Sequence, residues 1–227
     1  MRPTSIIDAP VAARVTRKPS GRRFSSVMAL AFVVGSTILA VAADAIAGSP
    51  ASRFSRADVA RIDRLLVLIQ QRLERAPALA EARWRSMSRI EDTGSEKQLL
   101  DAARKQAATL KLDAELAARF AEAQVEAGKI IQAERHKHWA TSPGAAPARD
   151  KASDPLRASI AEPELDAGLL KAWRDALPIL RRPAAIGVVD ARAADLIHVG
   201  GSDLPAAQVA LRPLYEIANQ NRNGTEK

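Results

Sequence analysis

Residues 55–80 read SRADVARIDRLLVLIQQRLERAPALA, and this stretch decides the fold of the chain. Apolar residues recur in it at alternating intervals of three and four, which is the period of one helix face. They are Val59, Ile62, Leu66, Ile69, Leu73, Ala76 and Ala80. Ser55 and Asp58 have the spacing of a capping box, so a long helix is expected to begin there. Pro77 is expected to kink this helix rather than end it, because the apolar period resumes in phase beyond it.

The same period continues along the chain and predicts an all-α fold, a helical bundle built on the long kinked first helix. A second capping box at Thr93 and Glu96 predicts a helix that reaches about Leu110. Asp113 is expected to cap a third helix that reaches about Trp139.

The C-terminal third of the chain is also predicted to be helical. Helix starts are expected at Asp154-Pro155 and Glu162-Pro163, since proline favours the first helical position. An apolar stripe follows at Leu165, Leu169, Trp173, Leu177 and Leu180. Residues 199–202 break the pattern before a last helix from about Leu204 to Asn219.

Composition sets broad limits on what the protein can do. A chain of 227 residues with 47% hydrophobic residues can bury a real core, and without cysteine it has neither disulfides nor a thiolate metal site. The formal net charge of +8 falls to +4 once residues 1–47 are set aside, because six Lys/Arg and two Asp/Glu lie in them. With only one tyrosine and four phenylalanines as well, nucleic-acid binding is not expected.

Residues 1–47 have the organisation of a secretory signal peptide. A cationic segment is followed by an apolar run at 27–43 and by Ala45-Ile46-Ala47, so cleavage after Ala47 and a periplasmic or secreted protein are expected. The rival interpretation is an uncleaved membrane anchor, but the run is short for a span and ends at Asp44. After cleavage no stable membrane association is expected.

The predicted organisation therefore has five parts. The signal peptide is followed by a helical domain at 48–140, a flexible connection at 141–153 that is rich in Pro, Ala, Gly and charge, a C-terminal helical part of the same bundle at 154–221, and a disordered tail at 222–227. His136-x-His138 has only His198 as a further histidine, so we expect a solvated helix end and no metal site.

Polar residues recur on the predicted helices at intervals that place them on one side. Eleven-residue steps drift by only about 20°, so arginines at this spacing form a cationic line. They are Arg61, Arg72 and Arg83. Intervals of four place a second polar stripe on the third helix. It consists of Gln124, Gly128 and Gln132. Long amphipathic helices also carry such residues on solvated faces, and periodicity alone favours that simpler interpretation.

The order of the motifs adds a more specific signal. Arg72-Leu73 is followed by Arg83-Trp84, then by Ile90-Glu91-Asp92 with Glu96 four residues later, and finally by the pattern Q-x-E-A-x-K-x-x-Q at residues 124–132. Over about residues 58–139 this order resembles the exported, gamma-type branch of the all-helical chorismate mutases, the AroQ class. The resemblance implies an all-α bundle, often a homodimer, with no cofactor and with a pocket inside one chain that converts chorismate to prephenate.

The resemblance also implies roles for individual residues. Arg72 matches an arginine that binds a substrate carboxylate, and Arg83 stands where the family has a lysine that contacts a carboxylate and the ether oxygen. Asp92 and Glu96 match acidic positions near the substrate hydroxyl. Gln132 matches the residue that donates to the ether oxygen, and Gln98 is a further candidate on the same helix as Glu96.

Several positions depart from the family pattern. Arg83 replaces the lysine with a flatter and larger cation. Ser95 replaces an arginine and Gly128 replaces a Ser, Thr or Asn, so one charge and one donor are lost. A slow mutase is the leading hypothesis. The alternatives are a non-catalytic periplasmic binding protein of the same fold and an isochorismate-pyruvate lyase, which uses a similar scaffold.

Overall fold

A computed structural model of the chain describes residues 54–150 and 162–220. Within these ranges it contains six α-helices and no β-strand, which confirms the all-α prediction. The helices are α1 (Arg56–Ser86), α2 (Thr93–Leu110), α3 (Ala114–Thr141), α4 (Pro163–Leu180), α5 (Ala185–Leu196) and α6 (Leu204–Gln220). The predicted signal peptide, the start at Asp154-Pro155 and the tail at 222–227 lie outside the described residues.

Helix α1 begins where the capping box predicted. The Ser55 hydroxyl accepts from the Asp58 backbone N–H at 3.1 Å, and the Asp58 carboxylate accepts from the Ser55 N–H at 3.1 Å. The helix continues through Pro77 without ending and terminates at Met87, which has a left-handed φ of 57°. The continuity predicted for α1 is therefore confirmed, while the kink at Pro77 stays a prediction.

The two longest helices, α1 and α3, pack against each other and support the others. α2 and α6 pack on α3, and α4 packs on α1 while it also touches α2 and α3. Trp173 of α4 stacks on Phe120 of α3 with 4.7 Å between ring centroids, and both side chains are buried in the core. Because α4 contacts α1, α2 and α3, it forms one side of the space between those helices.

The start of α2 differs by one residue from the prediction. Asp92, not Thr93, is the N-cap: its Oδ1 accepts from the Ser95 backbone N–H at 3.0 Å. Glu96 closes the reciprocal contact, because its Oε1 accepts from the Asp92 N–H at 3.3 Å. An aspartate carboxylate is at least as good a capping acceptor as a threonine hydroxyl, and here it stands one residue earlier. The cap predicted for α3 is confirmed, since Asp113 Oδ1 accepts from Leu116 N–H at 2.7 Å.

The C-terminal part is divided more finely than the sequence indicated. α4 begins at Pro163, as predicted, but a separate α5 follows it after a turn at Ala184, where φ is 65°. Pro183 marks a break at this point, but alanine rarely adopts a left-handed conformation, so the turn at Ala184 itself was not indicated. Within residues 54–150 and 162–220, no helix is long and apolar enough to cross a membrane.

The segment that follows α3 turns back to the end of α1. After a short 3₁₀ turn at Pro143–Ala145, the Arg149 guanidinium lies 4.5 Å from the Trp84 ring centroid, and the Asp150 N–H donates to the Arg85 carbonyl at 3.0 Å. The flexibility expected for 141–153 stays a prediction. The solvated position expected for His136 is wrong, because its ring is half-buried against Trp84 with Nε2 at 2.8 Å from the Ala80 carbonyl oxygen.

Candidate active site

A cavity of about 280 Å³ is enclosed by residues of α1, α2, α3 and α4. Most of its wall is apolar. These residues are Leu99, Ala102, Ala103, Phe120, Ala121, Pro163, Leu169 and Leu170. The remaining wall is polar and comprises Arg72, Ser95, Gln98, Gln106, Gln124 and Asp166. A few polar groups in an apolar wall are typical of small-molecule sites, where weak screening by water strengthens each charged contact.

Arg72 is the cation of this cavity. Arg72 is only 8% exposed, because α1 packs it against the neighbouring helices. Its NH1 donates to Asp166 Oδ1 at 2.9 Å. The second Asp166 oxygen accepts from the Glu162 backbone N–H at 3.0 Å. Burial raises the pKa of Asp166, and the charge of Arg72 opposes this increase. In this structure the cavity therefore holds an arginine together with a protein carboxylate.

Arg83 belongs to a second polar group, which we call the Arg83 cluster: the buried side chains of Arg83 and Gln132 and the backbone carbonyl of Gly128. Arg83 NH1 donates to Gln132 Oε1 at 2.9 Å and to the Ile90 carbonyl oxygen. Gln132 Nε2 in turn donates to the Gly128 carbonyl oxygen at 3.1 Å, which fixes the orientation of its amide. Burial lowers the pKa of Arg83, and the nearby carboxylates of Asp92 and Glu96 oppose that shift.

The acidic residues predicted near the substrate hydroxyl lie at the start of α2. Asp92 Oδ2 accepts from the Ser95 hydroxyl at 2.7 Å, and hydrogen bonds from Ser95 are the main reason that the pKa of Asp92 is lowered. Glu96 Oε2 accepts from Lys129 Nζ at 3.2 Å, which links α2 to α3. Burial acts to lower the pKa of Lys129, but its bonds to Glu126 and Glu96 outweigh this and raise it.

The predicted site residues thus fall into three adjoining groups. Arg72, Ser95 and Gln98 line the cavity, the Arg83 cluster does not belong to its wall, and Asp92 and Glu96 cap α2. Ser95 connects two of the groups, because it lines the cavity and also bonds Asp92. Arg61, predicted on the same line as the other two arginines, is exposed with 56% of its side chain accessible and pairs with Asp58 at 3.8 Å. The catalytic and binding roles of these residues stay predictions.

The surroundings of Gly128 and Ser95 bear on the donor and the charge that the sequence predicted to be lost at these two positions. A Cβ atom on Gly128 would meet Gln132 Nε2 at 3.8 Å, an ordinary contact, so the site tolerates a side chain there. Lys129 lies close to the start of α2, where the resemblance predicted that Ser95 replaces an arginine, but its ammonium is bonded to Glu96 and Glu126. A cation is therefore present in this region, although carboxylates already balance it.

Sequence reasoning placed Gln124 on the polar stripe of the third helix but gave it no role in the site, and it did not select Gln106 or Asp166. Gln124 is buried, and its Nε2 donates to the Ala210 carbonyl at 2.9 Å, while its Oε1 has no hydrogen-bond partner among the described residues. Its position four residues before Gly128 was a usable signal. Asp166 had no such signal, because only the packing of α4 on α1 brings it to Arg72 across 94 residues of chain.

The arrangement offers cations and amide donors around a small, mainly apolar space. Such groups can bind carboxylates, fix the conformation of a bound molecule and stabilise negative charge as it develops. Among the described residues, no group of three or more His, Cys, Asp or Glu side chains is placed to hold a metal ion.

Solved structures that are similar to this chain include two chorismate mutases. One is a chorismate mutase from Burkholderia thailandensis, with a TM-score of 0.58 and 24% sequence identity, covering 68% of this chain and 98% of that chain. The other is a chorismate mutase from Burkholderia phymatum, with a TM-score of 0.53 and 21% identity at the same coverage of both chains. No protein-family model matches the chain, and no curated protein does. The described helices thus have the all-helical fold of these two chorismate mutases.

Proposed function

We propose that the protein is a chorismate mutase, which rearranges chorismate to prephenate. The observation that carries this proposal is a buried arginine, Arg72, in the wall of a small apolar cavity, within the fold of two chorismate mutases. The substrate is a compact dicarboxylate, and an arginine guanidinium is the side chain best suited to bind a carboxylate with two parallel hydrogen bonds.

For this reaction the protein needs only to bind the substrate and to stabilise the charge that develops on it. The ether carbon–oxygen bond of chorismate breaks as a carbon–carbon bond forms in the same molecule, so all atoms of the substrate appear in the product. Arg72 binds one carboxylate and holds the compact conformer. Arg83 and Gln132 lie outside the described wall of the cavity, so the ether end of the bound substrate has to extend beyond that wall to the Arg83 cluster. There Arg83 and the Gln132 amide stabilise the charge that develops on the ether oxygen, while Asp92 and Glu96 orient the hydroxyl. Gln132 needs no protonation for this role, because its amide nitrogen carries two hydrogens.

We further propose that the rate is low. Ser95 and Gly128 supply neither the charge nor the donor that the family pattern has at these positions, and Asp166 occupies Arg72. Each charge-assisted contact that acts only in the transition state contributes roughly 1.5–3 kcal/mol, or about one to two decades in rate. Two missing contacts therefore separate this site from an efficient enzyme.

A second candidate function is a non-catalytic binding protein for dicarboxylates of this size. It is favoured by the bonds that both buried arginines make within the protein: Arg72 with Asp166, and Arg83 with Gln132 and Ile90. A site whose cations are already satisfied can retain the shape of a mutase while it no longer stabilises a transition state.

The test is to incubate purified protein with chorismate and follow both the loss of chorismate absorbance and the formation of prephenate. Turnover that exceeds the uncatalysed rate supports the mutase. Binding of a bicyclic transition-state analogue without turnover supports the binding protein instead. Absence of both at high protein concentration contradicts both candidates. Consumption of isochorismate with release of pyruvate would identify a lyase.

We also propose that the protein acts outside the cytoplasm, in the periplasm or after secretion, and as a homodimer. The export proposal is supported by the order of cationic, apolar and small residues within 1–47. Mass spectrometry of protein from fractionated cells tests it: a chain that begins at Gly48 in the exported fraction is expected, and a full-length chain in the membrane fraction would contradict it. Size-exclusion chromatography with light scattering tests the dimer.

A further inference from the structure

Asp166 is the only acidic residue in the described wall of the cavity. It lies in the first turn of α4, and the packing of α4 against α1 and α2 places it opposite Arg72. About a quarter of its side chain, 25%, is accessible, so it is neither sealed in the core nor freely solvated. Its position in the wall means that anything bound beside Arg72 also meets this carboxylate.

Both oxygens of Asp166 are engaged. Oδ1 accepts from Arg72 NH1 at 2.9 Å, and Oδ2 accepts from the Glu162 backbone N–H at 3.0 Å. The carboxylate is thereby held in one orientation on the guanidinium. A carboxylate of a ligand would need the same cation, and two carboxylates that share one site repel each other.

We propose that Asp166 is a specificity-determining residue of this cavity: it competes with the carboxylate of the ligand for Arg72 and so limits the affinity of the site for anions. The ligand class is a small molecule with an apolar body and a carboxylate. This proposal extends the proposed function. It rests on that function for one point only, which is that the natural carboxylate ligand is chorismate.

The surroundings of Asp166 support this role. The ionisable groups that affect it are Arg72 on α1 and Glu162 at the start of α4, while the polar cavity residues of α2 and α3 are uncharged. Burial raises the pKa of Asp166 and outweighs the opposite effect of Arg72, as expected for a carboxylate that is partly removed from water. Because a quarter of its side chain is accessible, water compensates the two carboxylates in part, and their competition is weaker than it would be in a sealed site.

The test compares the binding of benzoate to the wild-type protein and to Asp166→Asn by NMR titration. Benzoate carries a ring and one carboxylate and no other polar group. Asp166→Asn is expected to bind it about tenfold more tightly, the lower end for a charge-assisted contact because Asp166 is partly exposed. Methyl benzoate, which has no charge, should bind both proteins equally. Asp175→Asn is the matched control, because Asp175 lies on α4, pairs with Arg174 and is not part of the cavity wall.

An unchanged or weaker affinity of Asp166→Asn for benzoate would overturn the proposal, since it would mean that Asp166 helps to hold the ligand or does not meet it. Asparagine retains an acceptor for the Glu162 N–H, so the helix start is expected to persist. If circular dichroism shows that this variant is unfolded, Asp166→Ser provides the same comparison, because it also removes the charge and leaves a small polar side chain in the wall.

Turnover of chorismate, measured on the same three proteins, separates this proposal from the proposed function. Tighter benzoate binding without turnover in any variant would support the role of Asp166 and contradict the mutase. Turnover together with unchanged benzoate affinity would support the mutase and overturn the role of Asp166. If both hold, Asp166→Asn should lower the KM for chorismate by a similar factor.

Discussion

Arg72 and Arg83 lie on the same helix, eleven residues apart, and are buried to the same degree, at 8% and 6% exposure. Their partners differ. Arg72 donates directly to the carboxylate of Asp166 in the wall of a cavity, whereas Arg83 donates to two neutral acceptors, the Gln132 amide and the Ile90 carbonyl. A carboxylate partner can be exchanged for the carboxylate of a ligand. Neutral acceptors satisfy the hydrogen bonds of Arg83 but leave its charge available to act at a distance. The two arginines are equally buried, and it is their different partners that give them different roles.

The largest effect is expected from Arg83→Ala. This change leaves the buried Gln132 amide oxygen and the part-buried Ile90 carbonyl without this donor and removes a buried side chain, so the free energy of unfolding should fall by roughly 3 kcal/mol. Urea denaturation measures it. Arg83→Lys should cost less, because its ammonium can still donate to one of the two acceptors. If Arg83→Ala costs no more than Arg72→Ala, the distinction between the two arginines is wrong.

Arg72→Ala should reduce chorismate turnover by about one to two decades, since it removes a charge-assisted contact to the substrate. Its effect on stability should be smaller, about 1 kcal/mol, because Asp166 is partly exposed and water can solvate it. Steady-state kinetics and urea denaturation measure the two quantities. Arg61→Ala is the control on the same helix, and it should change neither. Unchanged turnover in Arg72→Ala would place the reaction outside this cavity.

Gln132→Glu tests whether the neutral amide matters at the Arg83 end. A carboxylate there pairs with the charge of Arg83 and cannot donate to an ether oxygen unless it is protonated. Turnover should fall by about tenfold at neutral pH and recover as the pH is lowered. The exposed Gln71→Glu on α1 is the control and should keep the wild-type pH profile. A Gln132→Glu variant with the wild-type profile would contradict the donor role.

Gly128→Ser should have the smallest effect. The added Cβ has room, and serine has a higher helix propensity than glycine, so the protein should gain about 0.5 kcal/mol of stability. Gly168→Ser on α4 is matched to it, because a Cβ there meets Leu68 at 3.9 Å. Thermal and urea denaturation should show similar gains in both. Only Gly128→Ser should raise turnover. A loss of stability in this variant would show that the Gln132 side chain leaves no room for a side chain at position 128.

Local signals explain what the sequence predicted correctly. The caps at Ser55 and Asp113 depend on contacts within three or four residues, and the continuity of α1 through Pro77 depends on a period that is visible over 25 residues. The start of α2 was displaced by one residue because Asp92 and Thr93 are both capping residues. The turn at Ala184 was missed because alanine carries no sign of a left-handed conformation.

The site was predicted less completely, for a physical reason. The motif residues Arg72, Ser95 and Gln98 do line one cavity, but the hydrogen bond between Arg83 and Gln132 joins residues 49 positions apart. The contact of Arg72 with Asp166 spans 94. Helical periodicity assigns a residue to a face, and it does not say which side chain of another helix will meet it. A partner such as Asp166 follows from tertiary packing alone.

The span between Arg72 and Asp166 also bears on the order in which the protein assembles. The Arg83 cluster uses only α1, α3 and the loop before α2, so it can form before the C-terminal part arrives. The cavity cannot, because α4 supplies Pro163, Asp166, Leu169 and Leu170 to its wall. Closing the longer chain segment costs more entropy and tends to come later in folding. Because α4 forms part of the wall, a ligand that binds in the cavity is expected to stabilise the docking of α4, since the two equilibria are thermodynamically linked.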